Sequence, residues 1–507
     1  MSSNHHSPLN IEQIERNFRD IAPALNEAEA VLESNRCLYC FDAPCTHACP
    51  THIDVPSFIK KIASGNLTGS ARVIFDANPI GATCARVCPV EVLCEGACVE
   101  KTLMDAPIQI GRLQRYATDY AMASGREIFQ KGEANGKSVG IVGSGPAGIS
   151  CATYLARLGY AVTIYDKKSL PGGLDTYGMA EYKMSQAVAV EESKQIERLG
   201  VEFRLNCEIL SEPPTVAGGL NADDLVLSDK LSAAADNPDK IAFADLLSKH
   251  DAIFLGVGLG ATNKLNIIGE DANGVFDALD FIERIKTRNW TSVPLGKTVA
   301  VIGAGNTAID AVTQAKRLGA EKVLMIYRRT EKDISAYQYE YELAKKDGVE
   351  FVWQAAPIEI LTDENGSVAA LRCEKTGASN QAFEIPCDMI LKAIGQQKQH
   401  SFFERIAGVA TDEKGRVVVN ETMQTSNPKI FAGGDCVNGG AEAVDASQMG
   451  KLAAQGIHFN LTGKTIELAG ARLPFIEKIH GELPLPVPAA YNEPAVPAED
   501  LGVKSYD

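Results

Sequence analysis

Eight cysteines within the first hundred residues constrain this chain more than anything else in it. They form two runs, Cys37-x2-Cys40-x4-Cys45-x3-Cys49-Pro50 and Cys84-x3-Cys88-Pro89-x4-Cys94-x3-Cys98, out of 13 cysteines in 507 residues. Thiolates are soft ligands that suit iron–sulfur clusters or zinc. In two-cluster ferredoxins the cysteine that precedes the proline of each run ligates the other cluster. Both Cys49 and Cys88 precede a proline, so the runs read as two interleaved 4Fe–4S clusters. Two structural zinc sites are the alternative, although zinc spacings are usually built from C-x2-C pairs.

Composition narrows the class. Hydrophobic residues make up 45% and charged residues 22% of the chain, the proportions of an ordinary globular protein of about three domains. A formal net charge of −16 argues against nucleic acid or an anionic membrane as partner, since both attract basic patches. No apolar run reaches the ~18 residues of a membrane span. The start, MSSNHHSPLNIEQIERNF, has no basic-then-apolar signal pattern. A cysteine-rich chain of this kind is expected in the cytoplasm, where thiols hold metal instead of pairing. His5 and His6 read as a solvated terminus.

Apolar residues recur at helical spacing in IEQIERNFRDIAPAL, VPSFIKKIASG and GRLQRYATDYAM, which predicts a helical domain over 1–134 with a Gly/Lys-rich linker at 131–137. From Lys137 short apolar strands alternate with helices, the mark of a parallel α/β sheet. The strand Ser138–Val142 enters Gly143-Ser144-Gly145-Pro146-Ala147-Gly148, and after a helix the strand AVTIY ends in Asp166. This is a full dinucleotide fingerprint: glycines admit a pyrophosphate to backbone amides, and the acid can accept from a ribose hydroxyl. Lys297–Ile302 repeats the device with Gly303-Ala304-Gly305-Asn306-Thr307-Ala308, but its second strand, KVLMIY, ends in Arg328-Arg329. Guanidinium groups there suit the 2′-phosphate of NADP(H); two solvated arginines beside bound NAD(H) are the alternative. A third strand, ending Gly433-Gly434-Asp435 ahead of a helix from about Glu442 to Phe459, puts a carboxylate and amides near the end of a flavin's chain. Residues 466–507 carry six prolines and read as an extended arm.

Two Rossmann units, the Gly-Gly-Asp motif and the N-terminal double-cluster module resemble the NAD(P)H-oxidising half of dihydropyrimidine dehydrogenases, over residues ~25 to 465. Glutamate synthase small subunits share that architecture. The segment Ile110-Gly111-Arg112-Leu113-Gln114-Arg115 separates the two: the resemblance implies a glutamine as cluster ligand in the former and an acidic residue nearby in the latter. It implies Cys37, Cys40, Cys45 and Cys98 at one cluster, and Cys49, Cys88, Cys94 and Gln114 at the other, with Cys84 spare. Without the resemblance, Gln114 reads as an exposed helix amide. The implied fold is α/β with an N-terminal all-α iron–sulfur domain and two Rossmann-like domains. FAD would occupy 135–275 and 398–465, and NAD(P)H 276–397. FAD would lie on Gly143 to Ala147, Asp166, the Pro171-Gly172-Gly173-Leu174 turn, Lys183 and Gly434-Asp435. The nicotinamide cofactor would take Gly303 to Thr307, Arg328, Arg329 and Ala393-Ile394-Gly395. Ser335 stands where the mammalian-type pattern has a further basic residue, which weakens the preference for NADP(H).

Such a chain needs no acid or base of its own, because hydride passes from nicotinamide to flavin and the protein orients the rings. The clusters would carry electrons outward to an FMN- and cluster-bearing partner with a dihydroorotate-dehydrogenase-like barrel, which reduces uracil or thymine. A disulfide reductase would need a cysteine pair beside the flavin, and Cys151, Cys207, Cys373, Cys387 and Cys436 are isolated in sequence. A zinc-stapled adaptor with a vestigial nucleotide fold is the non-enzymatic rival.

Overall fold

In the computed structural model of this chain, residues 7–211, 239–287, 289–377, 381–466 and 468 are described. The cysteine runs lie in a layer of short helices: Glu27–Ser34, Val55–Ala63, Leu67–Ala77, Gly81–Val87, Val99–Met104 and Ile110–Ser124. Asn26, Asp54 and Asn66 cap the first three by accepting an otherwise unpaired first-turn N–H. Their apolar faces, including Phe58, Ile59, Ile62, Ile74 and Leu113, bury one core.

Two five-stranded parallel sheets follow. The first runs in the order Ile430–Ala432, Ala252–Leu255, Ser138–Val142, Ala161–Tyr165, Glu202–Arg204. Chain segments far apart in sequence therefore complete one parallel sheet. The second has the order Glu350–Trp353, Lys322–Tyr327, Thr298–Ile302, Met389–Lys392, Val275–Asp277. Its outer strand starts at Val275, so a boundary between 275 and 276 cuts a strand. An antiparallel sheet of Ala355–Thr362, Val368–Lys375 and Ala382–Pro386 is set into this domain. The extended arm lies outside the described residues apart from Ile466 and Leu468, as do His5 and His6.

The first helix departs from the expected 1–134 unit. Ile11–Asn17 packs on Asn306–Leu318 of the second Rossmann domain, where Ile14 and Phe18 are buried and Phe18 stacks on Trp290. Asn17 Nδ2 donates to the Arg317 carbonyl at 2.9 Å.

Within the first sheet, His250 is 4% exposed and its Nε2 lies 3.0 Å from the Tyr165 hydroxyl. Burial, and then Lys249 and Arg204, push its pKa down to about 4. The unfolded imidazole takes a proton near 6.5 and the folded one only near 4, so this contribution is present above pH 6.5 and is lost as pH falls to about 4. The loss amounts to about 3 kcal/mol. Thermal unfolding across that window is expected to show a smaller acid-side fall in His250→Phe than in the wild type.

Candidate functional site

The Gly143–Gly148 turn is sterically committed to glycine. Gly143 has φ +100°, and a Cβ there would lie 2.3 Å from the Gly256 carbonyl oxygen. The turn delivers the amino end of the Pro146–Arg157 helix to a cavity of about 880 Å³, a size that suits a dinucleotide cofactor. Gly143, Gly145, Pro146, Ala147 and Asp166 line one side. Gly173, Leu174, Gly434 and Asp435 line another. Ser144 is fully buried behind the wall, and its N–H and hydroxyl donate to Asp166 Oδ2 at 2.7 and 2.6 Å. Lys168 N–H donates to Oδ1 at 2.8 Å, so the carboxylate is held in place at the cavity edge. Gly172 N–H donates to the Ser144 carbonyl at 3.0 Å, closing the two turns on each other. Burial raises the Asp435 pKa, against the pull of the Ala441 N–H and Lys398.

Lys183 is placed differently from the expectation. It does not line the cavity; its ammonium lies 2.5 Å from Asp310 and 2.6 Å from Glu340, with 9% of the side chain exposed. Burial opposes its charge, but Asp310, Tyr182 and Glu340 outweigh that and raise its pKa well above the ordinary lysine value. Lys183 is a buried tie between the two Rossmann domains. Lys286 makes a second tie, donating to the Met184 carbonyl and lying 3.3 Å from Glu181.

The second fingerprint has the same steric logic. A Cβ on Gly303, at φ +135°, would lie 2.2 Å from the Ala393 carbonyl oxygen. This brings Ala393-Ile394-Gly395 against the turn, where Asn263 N–H donates to the Gly395 carbonyl at 2.9 Å. Ala304, Asn306 and Thr307 lead into the Asn306–Leu318 helix, and Gly305 faces the Ser335 hydroxyl. Arg328 and Arg329 follow the Lys322–Tyr327 strand directly, with exposed side chains. Losing a charge-assisted phosphate contact costs on the order of 1.5–3 kcal/mol, or about ten- to a hundredfold in binding. The double variant Arg328→Ala/Arg329→Ala is expected to lose that much NADPH affinity and little NADH affinity, read from the KM of dye reduction. A wild type that already favours NADH makes them solvated arginines.

The cysteines fall into two groups. Cys37, Cys40, Cys45 and Cys98 line one apolar recess walled by Val55, Ile59 and Ile108. Burial, then Cys98 and Cys37, push the Cys45 thiol up to about 12. In the other group the Cys88 pKa is raised well above that of an ordinary thiol by contact with Cys84, then by burial, with Cys49 and Cys94 also acting on it. Asn78 Nδ2 donates to Cys84 Sγ at 3.1 Å, and Asn78 Oδ1 accepts from Ser447 at 2.8 Å. Gln114 is 7% exposed and its Nε2 donates to the Gly81 carbonyl at 2.7 Å, at the start of the helix that carries Cys84 and ends at Cys88. The exposed-amide alternative is therefore corrected. The nitrogen is committed to a carbonyl, leaving the oxygen as the atom iron would use. A set of soft sulfur ligands, part buried and part half-buried, fits iron–sulfur clusters.

Sequence reasoning missed the residues that join the helical layer to the flavin domain. Glu192 is 2% exposed and accepts from Ala82 N–H (2.7 Å), Thr83 N–H (3.2 Å) and the Thr83 hydroxyl (2.6 Å). Burial is the main cause that raises its pKa to about 7. Lys451, fully buried, donates to the Thr51 carbonyl two residues beyond Cys49. In EESKQIER, Glu192 looks like any solvated helix charge, and no local signal marks it. Asp175, buried in the cavity wall, could have been flagged as an acid placed directly after the Gly172-Gly173-Leu174 turn.

Residues 137–450 match the pyridine nucleotide-disulphide oxidoreductase family, and residues 14–126 match dihydropyrimidine dehydrogenase domain II, 4Fe-4S cluster. The chain is 32% identical over 480 residues to the glutamate synthase [NADPH] small chain of Escherichia coli, covering 89% of this chain and 95% of that one. It is 31% identical over 450 residues to the NAD-dependent dihydropyrimidine dehydrogenase subunit PreT of the same organism, covering 89% and 98%. Among solved structures, Lactococcus lactis thioredoxin reductase is similar over 64% of this chain and 99% of its own, with 22% identity and a TM-score of 0.48.

Proposed function

From the premise that the chain belongs to the pyridine nucleotide-disulphide oxidoreductase family, we propose that it is the electron-input subunit of an NAD(P)H-dependent dihydropyrimidine dehydrogenase. It is a flavin- and iron–sulfur-dependent oxidoreductase that uses NAD(P)H. The observation that carries the finer reading is Gln114, buried against the helix of the second cysteine group where a glutamate synthase subunit is expected to have an acid nearby. The glutamate synthase small chain, similar at 32% identity, is the alternative.

Bound FAD supplies a two-electron acceptor that releases electrons singly. The glycine turns at Gly143 and Gly303 would admit the two pyrophosphates, Asp166 would face a ribose hydroxyl of the flavin nucleotide, and the Arg328–Arg329 pair would meet the 2′-phosphate of NADP(H). The buried ties at Lys183 and Lys286 fix one nucleotide domain against the other. The two cysteine groups would hold the clusters. No helix of the described residues is long and apolar enough to cross a membrane.

The acceptor in this reading is an FMN- and cluster-bearing subunit with a dihydroorotate-dehydrogenase-like barrel, which reduces uracil or thymine. Leu38, Phe41, Leu103 and Met104 are exposed in the segments that carry the first cysteine group, Phe41 completely. Exposed apolar residues gathered at an electron exit support a docked partner. Combined with that partner, the protein is expected to drive NAD(P)H-dependent reduction of uracil. Glutamate formation with a glutamate synthase large subunit, and none from uracil, would decide for the alternative. Phe41→Asp with Leu103→Asp is expected to lower partner-coupled turnover by about tenfold or more, the loss of one or two interface anchors, with dye reduction unchanged.

A further inference from the structure

The loop that follows Arg328 and Arg329 reaches from the second glycine turn to the flavin cavity. Ser335 N–H and Ala336 N–H both donate to the Ala304 carbonyl, at 3.2 and 3.1 Å, and the Ser335 hydroxyl donates to the same oxygen at 3.2 Å. Tyr337 N–H donates to Asn306 Oδ1 at 3.2 Å. Residues 335–337 are therefore fastened to the Gly303–Thr307 turn. From that anchored backbone the Tyr337 side chain crosses to the other nucleotide domain, where its hydroxyl donates to Glu442 Oε1 at 2.5 Å. Glu442 lines the 880 Å³ cavity and caps the Ala443–Thr462 helix.

The chemistry of the contact marks it as more than packing. An O–H···O contact this short is of the charge-assisted kind. Burial, then the bond to Glu442, raises the Tyr337 pKa well above the usual phenol value, so the phenol keeps the proton it donates. Burial raises the Glu442 pKa as well and the Tyr337 hydroxyl opposes that rise; a carboxyl oxygen accepts from the phenol in either state. The ring is braced from behind. It stacks on Tyr339, with centroids 6.1 Å apart and planes 14° from parallel. The Tyr339 hydroxyl donates to Glu340 Oε1 at 3.2 Å, and Glu340 holds Lys183. None of Lys183, Asp310 and Glu340 lines the cavity, whereas Glu442 does. The Lys183 tie therefore joins the domains, and the Tyr337 bond joins one site to the other.

We propose that Tyr337 is a positioning residue for hydride transfer, holding the nicotinamide-side glycine turn in register with the wall of the flavin cavity through its hydrogen bond to Glu442. In that transfer NAD(P)H is oxidised and the flavin reduced by the same two electrons and one proton, and Tyr337 supplies none of them. A misplacement of 1 Å costs such a reaction on the order of a hundredfold in rate, so a single hydroxyl acts strongly from outside the chemistry. The assignment rests on FAD in the cavity and the nicotinamide nucleotide on the Gly303 turn; it holds for either electron-accepting partner.

The test uses the flavin- and cluster-loaded protein as wild type, Tyr337→Phe, Glu442→Gln, Glu442→Ala and Tyr337→Phe/Glu442→Ala. NAD(P)H is mixed in rapidly and bleaching of the visible flavin band is followed. In Tyr337→Phe, bleaching at saturating nucleotide is expected to slow about ten- to a hundredfold, while the concentration giving half the maximal rate stays as in wild type. The long-wavelength charge-transfer band, which requires nicotinamide stacked on flavin, should weaken in parallel. Glu442→Gln retains an accepting oxygen and should keep most of the rate. The double variant should be no slower than Glu442→Ala alone, the mark of one shared contact. Wild-type rate and charge-transfer band in Tyr337→Phe overturn the proposal, and so do losses that multiply in the double variant. Loss of FAD from Tyr337→Phe also overturns it, making the hydroxyl a support for flavin binding. A wild type that NAD(P)H does not bleach overturns the cofactor placement itself, a failure separate from that of Tyr337.

Discussion

Replacing Cys88 with alanine is expected to remove one cluster, about half of the iron, and to cut electron delivery to a partner by about a hundredfold or more, the consequence of breaking a series relay. Oxidation of NAD(P)H with a dye that accepts at the flavin should remain near wild type, because the Gly143 and Gly303 turns lie on other elements. Two companion variants identify the eighth ligand. Cys84→Ala should keep both clusters, its thiol being held by Asn78, whereas Gln114→Ala should lose the same cluster as Cys88→Ala. The opposite pattern assigns the site to Cys84. Gln114→Cys, which adds a negative thiolate, should lower the potential of one cluster and leave the other unchanged in potentiometric EPR, by the logic that neutral ligands raise cluster potentials.

Features written in consecutive residues were legible before any coordinates. The strands Ser138–Val142 and Lys322–Tyr327 fall where their apolar runs place them, because each is a short buried segment ending at a glycine turn or a charged residue. Sheet membership across long gaps was legible for Ile430–Ala432, whose Gly-Asp ending is a motif, and not for Val275, which has none. The antiparallel insert was missed because its strands alternate weakly and their pairing is settled by each other. Lys183 illustrates the limit. Its neighbourhood by motif is the flavin, but its partners Asp310 and Glu340 lie more than a hundred residues away, and only the packed chain brings them together.

Glu192→Ala is the second large effect. It strands two backbone amides and a hydroxyl at the buried start of the Gly81–Val87 helix, at a cost of about 2–4 kcal/mol for unsatisfied donors. Because this contact joins the cysteine layer to the flavin domain, the loss should concentrate at that joint. Limited proteolysis in the 131–137 linker is expected to quicken, and transfer from flavin to clusters to slow, while flavin reduction by NAD(P)H holds. Glu192→Gln keeps one acceptor and should fall between. Equal loss of all three readouts in Glu192→Ala would make the damage global instead.

The docking of Ile11–Asn17 onto Asn306–Leu318 sets an order of events during synthesis. The helix Ile11–Asn17 is made well before its hydrogen-bond partner, which lies 300 residues further on. At about 5–20 residues per second, the wait is on the order of 15–60 s. Through that interval the cysteine segment has emerged while Glu192, Lys451 and the helix that receives the N-terminus are still to be made or folded. The cysteine segment thus emerges before the contacts that join it to the flavin domain can form, and the Lys451–Thr51 hydrogen bond, whose donor is made after Arg317, closes later than the docking of Ile11–Asn17 can begin.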